Sequence, residues 1–438
     1  VDVSLTEGFA RPDVALDIPT LQSGEHPLMP PPELPKRMPV KLIQILLPVV
    51  MLLMMVGMVA MMVSMSKAAG QSFNPYQLIF PLFMVVSVLG MAGNSIGGVG
   101  NQVSEVNEER NDYLRYLGTQ RHLVTETGRA QHAAREWNHP EPEVLPSLVH
   151  SHSPRMWERQ PGSPQFMNAR VGLGTEQLSK VLQPPKTAEI DVLEPVSARF
   201  LRRFVDTHKT QSSMPLAIAM RSYPYITLAN KSEPGQAEAL VRSMITQLCT
   251  FHSSDNLLVV VITDQPDWPT WRWVKWLPHN QHPTARDRLG SSRMVYPDVA
   301  TAREALGELI SGRKHHRGKD GGSDANPHFV IIADCAGSAT PAAALLGADG
   351  VDGVTLIDVH PPASHREGLV RPFELVLQDG FLWAPIEKGP PRRFARPDAV
   401  SVRFAADMAR MLSAYRPASE LDQIASQKVA SRGPKKVG

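Results

Sequence analysis

Two stretches of the chain carry residue types that could handle a nucleoside triphosphate. In "NPHFVIIADCAG", Asn326 to Gly337, an apolar and β-branched run ends on Asp334. A buried parallel strand delivers a magnesium-holding carboxylate to its carboxyl end in this way. Such a carboxylate works beside a loop that grips phosphate, with the pattern G-x-x-x-x-G-K-[ST] between a strand and a helix. The segment "NKSEPGQA", Asn230 to Ala237, has that length and lies between a strand-like run and an amphipathic one. Its side chains depart from the pattern. Asn230 stands at the first glycine position, and Gly235 keeps the second. Gln236 replaces the lysine that would pair with the β- and γ-phosphates, and Ala237 replaces the hydroxyl that would ligate magnesium. Pro234 removes a backbone N–H, Glu233 adds negative charge, and Cys335 follows Asp334 where an acidic residue would orient water.

No G-x-x-x-x-G-K-[ST] occurs anywhere in the 438 residues. Phosphoryl transfer depends almost wholly on positioning and on neutralising charge, so losing the lysine and the hydroxyl together removes most of what such a fold contributes. The expectation is a nucleotide-hydrolase scaffold without catalytic residues, its degenerate loop at Asn230, Gly235, Gln236 and Ala237 and its strand-end Asp334 binding no cofactor. Two alternatives stand beside it: an ordinary doubly wound sheet with a coincidental loop, and an unusual nucleotide site in which Lys231 or Asp334 compensates.

The elements that must position these residues are legible as alternating patterns. "SARFLRRFVDTH" reads as a helix, Tyr225 to Leu228 as a strand, "QAEALVRSMITQLCTFH" as an amphipathic helix and "NLLVVVITD" as a buried strand. "VATAREALGELISGR" predicts another helix, and "HFVIIAD" and "GVTLIDV" two further strands. Strands alternating with helices predict a parallel sheet covered on both faces, a P-loop-NTPase-like fold lacking Walker motifs, over 140–416. Within it "DWPTWRWVKWLPHNQH" concentrates Trp271, Trp273 and Trp276, aromatic surface best placed in a core.

Ahead of this domain the chain is apolar. Residues 42–63, "LIQILLPVVMLLMMVGMVAMMV", run for 22 residues without a charge, and 76–98 form a second uncharged run. At 1.5 Å per residue each spans a hydrocarbon core of roughly 30 Å, so two transmembrane helices are predicted over 38–98. Lys36, Arg37 and Lys41 precede the first run and only Lys67 follows it, which by the positive-inside rule leaves residues 1–37 as a cytoplasmic amino-terminal tail. Two crossings return the chain to that side. Methionines at 51, 54, 55, 58, 61, 62 and 65 form one broad helix face, and Gly93 with Gly97 a small-xxx-small pair. Residues 99–139 read as a stalk helix with Val103, Val106, Tyr113, Leu117 and Val124 at helical spacing, a seam interrupted by Arg110 and Gln120. Residues 417–438 read as a linker.

Composition narrows the partners. A net charge of +2, with no basic stripe interleaved with aromatics, argues against nucleic acid. Cys249 and Cys335 sit in apolar runs, as small residues of a reducing compartment. The loop Arg313 to Pro327 carries His315 and His316 without a second ligand pair at metal-site spacing, so no metal is expected.

Several stretches carry a family resemblance. "RMWERQPGSPQFMNARVGLG" (Arg155 to Gly174), "DWPTWRWVKWLPHNQH", "LEPVS", "QLCTFHSSDNLLVVV" and "RNDYLRYL" resemble signatures of the EccC family, the membrane-anchored FtsK/SpoIIIE-like ATPases of mycobacterial type VII (ESX) secretion systems. The resemblance runs from about Pro31 to Tyr415; at Gln165 the family pattern usually has an acidic residue nearby. It implies the membrane, stalk and degenerate ATPase-like portion of a motor, in the inner membrane, with Mg-ATP used only in ATPase domains downstream. It further implies EccB, EccD and EccE as membrane partners, a hexameric assembly, and WXG100 and PE/PPE-type secreted substrates reached through those downstream domains. A DNA-translocase anchor of the same superfamily is the remaining alternative.

Overall fold

The computed structural model describes residues 7–9, 16–34, 42–68, 70, 76, 79–186, 192–265, 268–288, 290–317, 326–335, 342–361, 369–370, 372–386 and 389–417. Along the chain come β1 (Glu7–Phe9), β2 (Gly24–Pro27), α1 (Leu42–Ala68), α2 (Ile79–Asn138), α3 (Leu145–His150), β3 (Asn168–Gln177), β4 (Lys180–Gln183) and α4 (Pro195–His208). There follow β5 (Thr210–Ala219), β6 (Tyr225–Asn230), α5 (Gln236–Phe251), β7 (Leu257–Thr263), α6 (Pro269–Arg272), β8 (Gln281–Asp287), β9 (Gly290–Arg293) and β10 (Val295–Tyr296). The remainder is α7 (Val299–Ile310), β11 (His328–Asp334), β12 (Val354–Asp358), β13 (Phe373–Gln378), β14 (Phe381–Ala384), β15 (Arg392–Pro397), α8 (Val402–Ser413) and β16 (Tyr415–Pro417). These sort into two compact units, one of Val1–Gln22, Gly128–Gln177 and Thr210–Gly438, the other of Ser23–Thr127 and Leu178–Lys209.

The first unit is built on a ten-stranded sheet of order β10-β7-β11-β12-β6-β13-β14-β15-β3-β5. From β10 to β13 neighbouring strands are parallel. β7 and β11 are apolar along their length because both faces are covered, and their alternate residues divide between two cores. Leu257, Val259, Val261, Val330 and Ile332 pack with α5 and α8, while Leu258, Val260, Ile262, Phe329 and Ile331 pack with α7. The predicted helices and parallel strands of this region are all present.

Beyond β13 the sheet turns antiparallel, a mixed rather than purely parallel sheet. The reversal is made by Asp379 and Gly380, both at positive φ (53° and 75°), which join Gln378 to Phe381 as a two-residue hairpin. An Asp-Gly pair adopts that turn readily, and its twist matches the flanking strands. At the sheet's far side Gly172 (φ 148°) lies against β15, where a Cβ would come within 2.0 Å of the Arg396 carbonyl oxygen. The amino-terminal segment read as a tail supplies β1, which pairs in parallel with β16, and Phe9 packs edge-on against Trp157 and Tyr415.

In the second unit β2 pairs in parallel with β4. Tyr113, Leu117 and Val124 of α2 close a small core with Leu28, Leu178, Leu182 and Leu201, whereas Val103 is exposed. The polar interruptions of the helical seam are points of attachment: Arg110 donates to Glu194 Oε1 (2.9 Å), and Gln120 Oε1 meets His26 Nε2 (2.7 Å). Glu194 also caps α4, accepting from the Val196 and Ser197 N–H groups. Among the described residues one helix is long and apolar enough to cross a membrane, Val49–Ala68, with a mean hydropathy of 2.3 and no buried residue in that window. The second predicted span is helical from Ile79 and continues unbroken to Asn138. The surroundings of Gly93 and Gly97, and the linker from residue 418 onward, lie outside the described residues.

Candidate functional site

The loop from Asn230 to Ala237 lies at the carboxyl end of β6, where the chain turns into α5. Asn230, in place of a glycine, closes the loop on itself. Its Oδ1 accepts from the Ser232 N–H (2.9 Å) and its Nδ2 donates to the Glu233 carbonyl (2.9 Å). The Lys231 N–H is spent on the Leu377 carbonyl of β13 (2.8 Å). Gly235 caps α5 at φ 86°, a left-handed conformation that glycine adopts without strain. Ala237 is buried and Gln236 half-buried. Gln236 and Ala237, the first two residues of α5, put an amide and a methyl where the lysine and the hydroxyl would stand. The acidic residue of the first turn of α5 is Glu238, which already places negative charge at the positive end of the helix dipole.

Asp334 ends β11 opposite Thr263 of β7. Both of its oxygens have partners. Oδ1 lies 2.8 Å from His360 Nε2, two residues past β12, and Oδ2 accepts from the Trp271 indole N–H at 2.5 Å. Burial pushes the Asp334 carboxyl up, but the hydrogen bonds from His360 and Trp271 outweigh it and hold it below the usual carboxylate range. The same bond to Asp334, against opposing burial, raises His360. Cys335 beside them is pushed up to about 11, by burial first and then by the Asp264 carboxylate, so its thiol stays protonated and unreactive at neutral pH. Glu238 completes the group: one donor atom from each of Glu238, Asp334 and His360 lies within 4.8 Å of the others.

The fold thus brings Asp334 and the helix start after Gly235 to one end of the sheet, as their spacing predicts. Glu238 belongs to that same helix start, while Trp271 and His360 enter from two other segments; none of the three is marked as a site residue by the sequence patterns. Signals existed in the indole cluster "WRWVKW" and in the histidine that closes "GVTLIDVH". Trp271 and Trp273 are buried, as expected of core aromatics, while Trp276 is 38% exposed beneath Lys275. His315 and His316 take structural roles, His315 in a bridge to Val351 and His316 against the Arg221 carbonyl (3.0 Å).

A second constellation gathers around the carboxyl end of α2. Arg155, Arg159 and Arg170, all buried, donate to the carbonyls of Trp137, Asn138 and His139. Arg155 stacks over Trp137 (4.1 Å) and Arg159 over Phe251 (4.3 Å), while Arg170 pairs with Asp398 at 2.7 Å. Planar guanidinium groups suit this combination of stacking and forked donation at the negative end of a helix.

These residues fall in the stretches whose wording resembles a known family, and the relatives agree. The ESX secretion system protein EccC of Thermomonospora curvata is 32% identical over 408 residues, 91% of this chain and 29% of its own length. The ESX-4 protein EccC4 of Mycobacterium tuberculosis is 36% identical over 67% of this chain and 23% of its own. The chain belongs to the EccC family. The ESX-1 protein EccCa1 of Mycobacterium tuberculosis is 33% identical over 81% of the chain and 46% of its own. The chain therefore spans about a quarter to a half of the length of these curated EccC relatives. No protein-family model matches it. Among solved structures, the cytoplasmic domain of Thermomonospora curvata EccC superposes with a TM-score of 0.31 at 11% identity, over 56% of this chain and 28% of that one.

Proposed function

We propose that this chain is the membrane-anchoring, stalk and coupling portion of an EccC-type secretion ATPase. Its α/β unit keeps the outline of a nucleotide hydrolase without the chemistry. One observation carries this reading: the strand-end carboxylate that would hold magnesium is engaged on both oxygens, by His360 and by Trp271, beside a loop with Gln236 and Ala237 in place of lysine and hydroxyl. A magnesium triphosphate does not fit these residues. Hydrolysis belongs to ATPase domains downstream, and the membrane is crossed twice, over 42–63 and 76–98, with both flanking portions cytoplasmic. The unbroken α2, held at its end by Arg155, Arg159 and Arg170, is the element that carries movement between the α/β unit and the membrane. On this reading the partners are EccB, EccD and EccE in a hexameric inner-membrane complex, with WXG100 and PE/PPE-type substrates engaged through the downstream domains.

Calorimetry and phosphate release with Mg-ATP on the detergent-solubilised chain test the proposal. The expected result is no turnover and no saturable binding up to millimolar nucleotide. Turnover that Asp334→Asn abolishes overturns it in favour of an atypical active site.

A further inference from the structure

Glu238, Asp334 and His360 come from three separate elements, the first turn of α5, the end of β11 and the segment after β12, and converge to within 4.8 Å. Their donor set is one imidazole nitrogen with two carboxylates. That mixture suits zinc-type divalent ions better than magnesium, which prefers oxygen and retained water. Zn–N and Zn–O bonds of about 2.0–2.2 Å put the donors of a tetrahedral site roughly 3.4 Å apart. The pair His360 Nε2 and Asp334 Oδ1, at 2.8 Å, and a Glu238 oxygen within 4.8 Å bracket that spacing, so small side-chain adjustments suffice.

A second observation is independent of the clustering. Glu238 occupies the third position of α5, where a glutamate ordinarily turns back to the N-cap N–H. Here its Oε2 is buried without a hydrogen-bond partner among the described residues. A buried, unpartnered carboxylate oxygen is costly, and a cation in its reach removes that cost. The indole N–H of Trp271 on Asp334 Oδ2 meanwhile fixes that carboxylate with Oδ1 turned to His360, the kind of outer support that orients metal ligands.

We propose that Glu238, Asp334 and His360 bind one zinc-type divalent ion, through one oxygen of each carboxylate and His360 Nε2, at the end of the sheet where an active hydrolase would hold phosphate. Three protein donors leave a fourth position to water on the side of the partly exposed His360. The ion ties the start of α5 to the ends of β11 and β12 and closes the former nucleotide position with metal. This inference stands apart from the proposed loss of hydrolysis, because zinc binding is measured without nucleotide.

The test is titration of zinc chloride into the full chain, stripped with chelator and held in detergent, by calorimetry and thermal unfolding. The expected result is one equivalent bound with a raised unfolding midpoint, and at least about tenfold weaker binding in both His360→Gln and Glu238→Gln. His315→Ala/His316→Ala leaves the affinity unchanged. Circular dichroism of the variants separates lost ligation from lost folding. The proposal is overturned by the absence of saturable binding to the folded chain, by binding that survives both ligand substitutions, or by binding that the His315/His316 pair abolishes.

Discussion

Trp271 shows how one indole N–H decides the state of a carboxylate. Its bond to Asp334 Oδ2 is made by a buried side chain to a charged acceptor, a class worth about 1.5–3 kcal/mol. Trp271→Phe is expected to lower the stability of the chain by about 2 kcal/mol, read as a fall in the urea midpoint, and to let the Asp334 carboxyl rise toward its ordinary range, read by NMR titration. An unchanged midpoint would show the contact to be incidental. The carboxylate and the loop were legible in sequence because each is a local pattern: an apolar run ending in Asp334, and eight residues ending in Gln236 and Ala237. His360 was not legible as its partner. It lies 26 positions further on, and only the pairing of β12 beside β11 brings the two together.

At the level of elements, α2 gains its fixed end from three arginines that no periodicity marks. Arg159 is buried, donates to the Asn138 and Asn168 carbonyls and lies over Phe251. Burial, only partly offset by Glu158, lowers its pKa to about 9, still charged at neutral pH. Lysine keeps the charge but offers neither the fork nor the plane. Arg159→Lys is expected to cost about 2–3 kcal/mol and to speed amide exchange in the last turn of α2, with exchange in α1 unaltered. Uniform acceleration along both helices would contradict a local clamp. Of the seam residues predicted on this helix, Tyr113, Leu117 and Val124 are buried and Val103 is exposed. Arg110 and Gln120, flaws in the seam when viewed along the helix, bind Glu194 and His26 from segments far away in sequence.

For the molecule as a whole, buried neutral histidines make stability depend on pH. Burial, with nearby arginines adding to it, lowers His139 and His328 to about 3, and burial lowers His279 to about 4. His252, wholly buried, is lowered as well; its Nε2 accepts from the Met167 N–H, which fixes the proton on Nδ1 toward the Leu248 carbonyl. Unfolded histidine titrates near 6.5, so between that value and 3–4 the unfolded chain binds more protons and stability rises with pH. Full stability is expected above about pH 6.5, and by pH 5 His139, His279 and His328 each withdraw about 2 kcal/mol. Urea midpoints at pH 7 and pH 5 check this, with His139→Asn expected to flatten the slope. A midpoint constant over that interval would sink the account.

The sequence by itself determined the local matters: which runs are apolar enough for membrane or core, which alternate as strand and helix, and which phosphate-gripping atoms the loop lacks. Each of these rests on side-chain chemistry within a dozen neighbouring positions. Only the tertiary structure decided what meets what. The pairing of β1 with β16, the antiparallel half of the sheet and the triad of Glu238, Asp334 and His360 all join segments through strand order and helix packing. Those are contacts between distant parts of the chain, and no periodicity within a single segment encodes its partner.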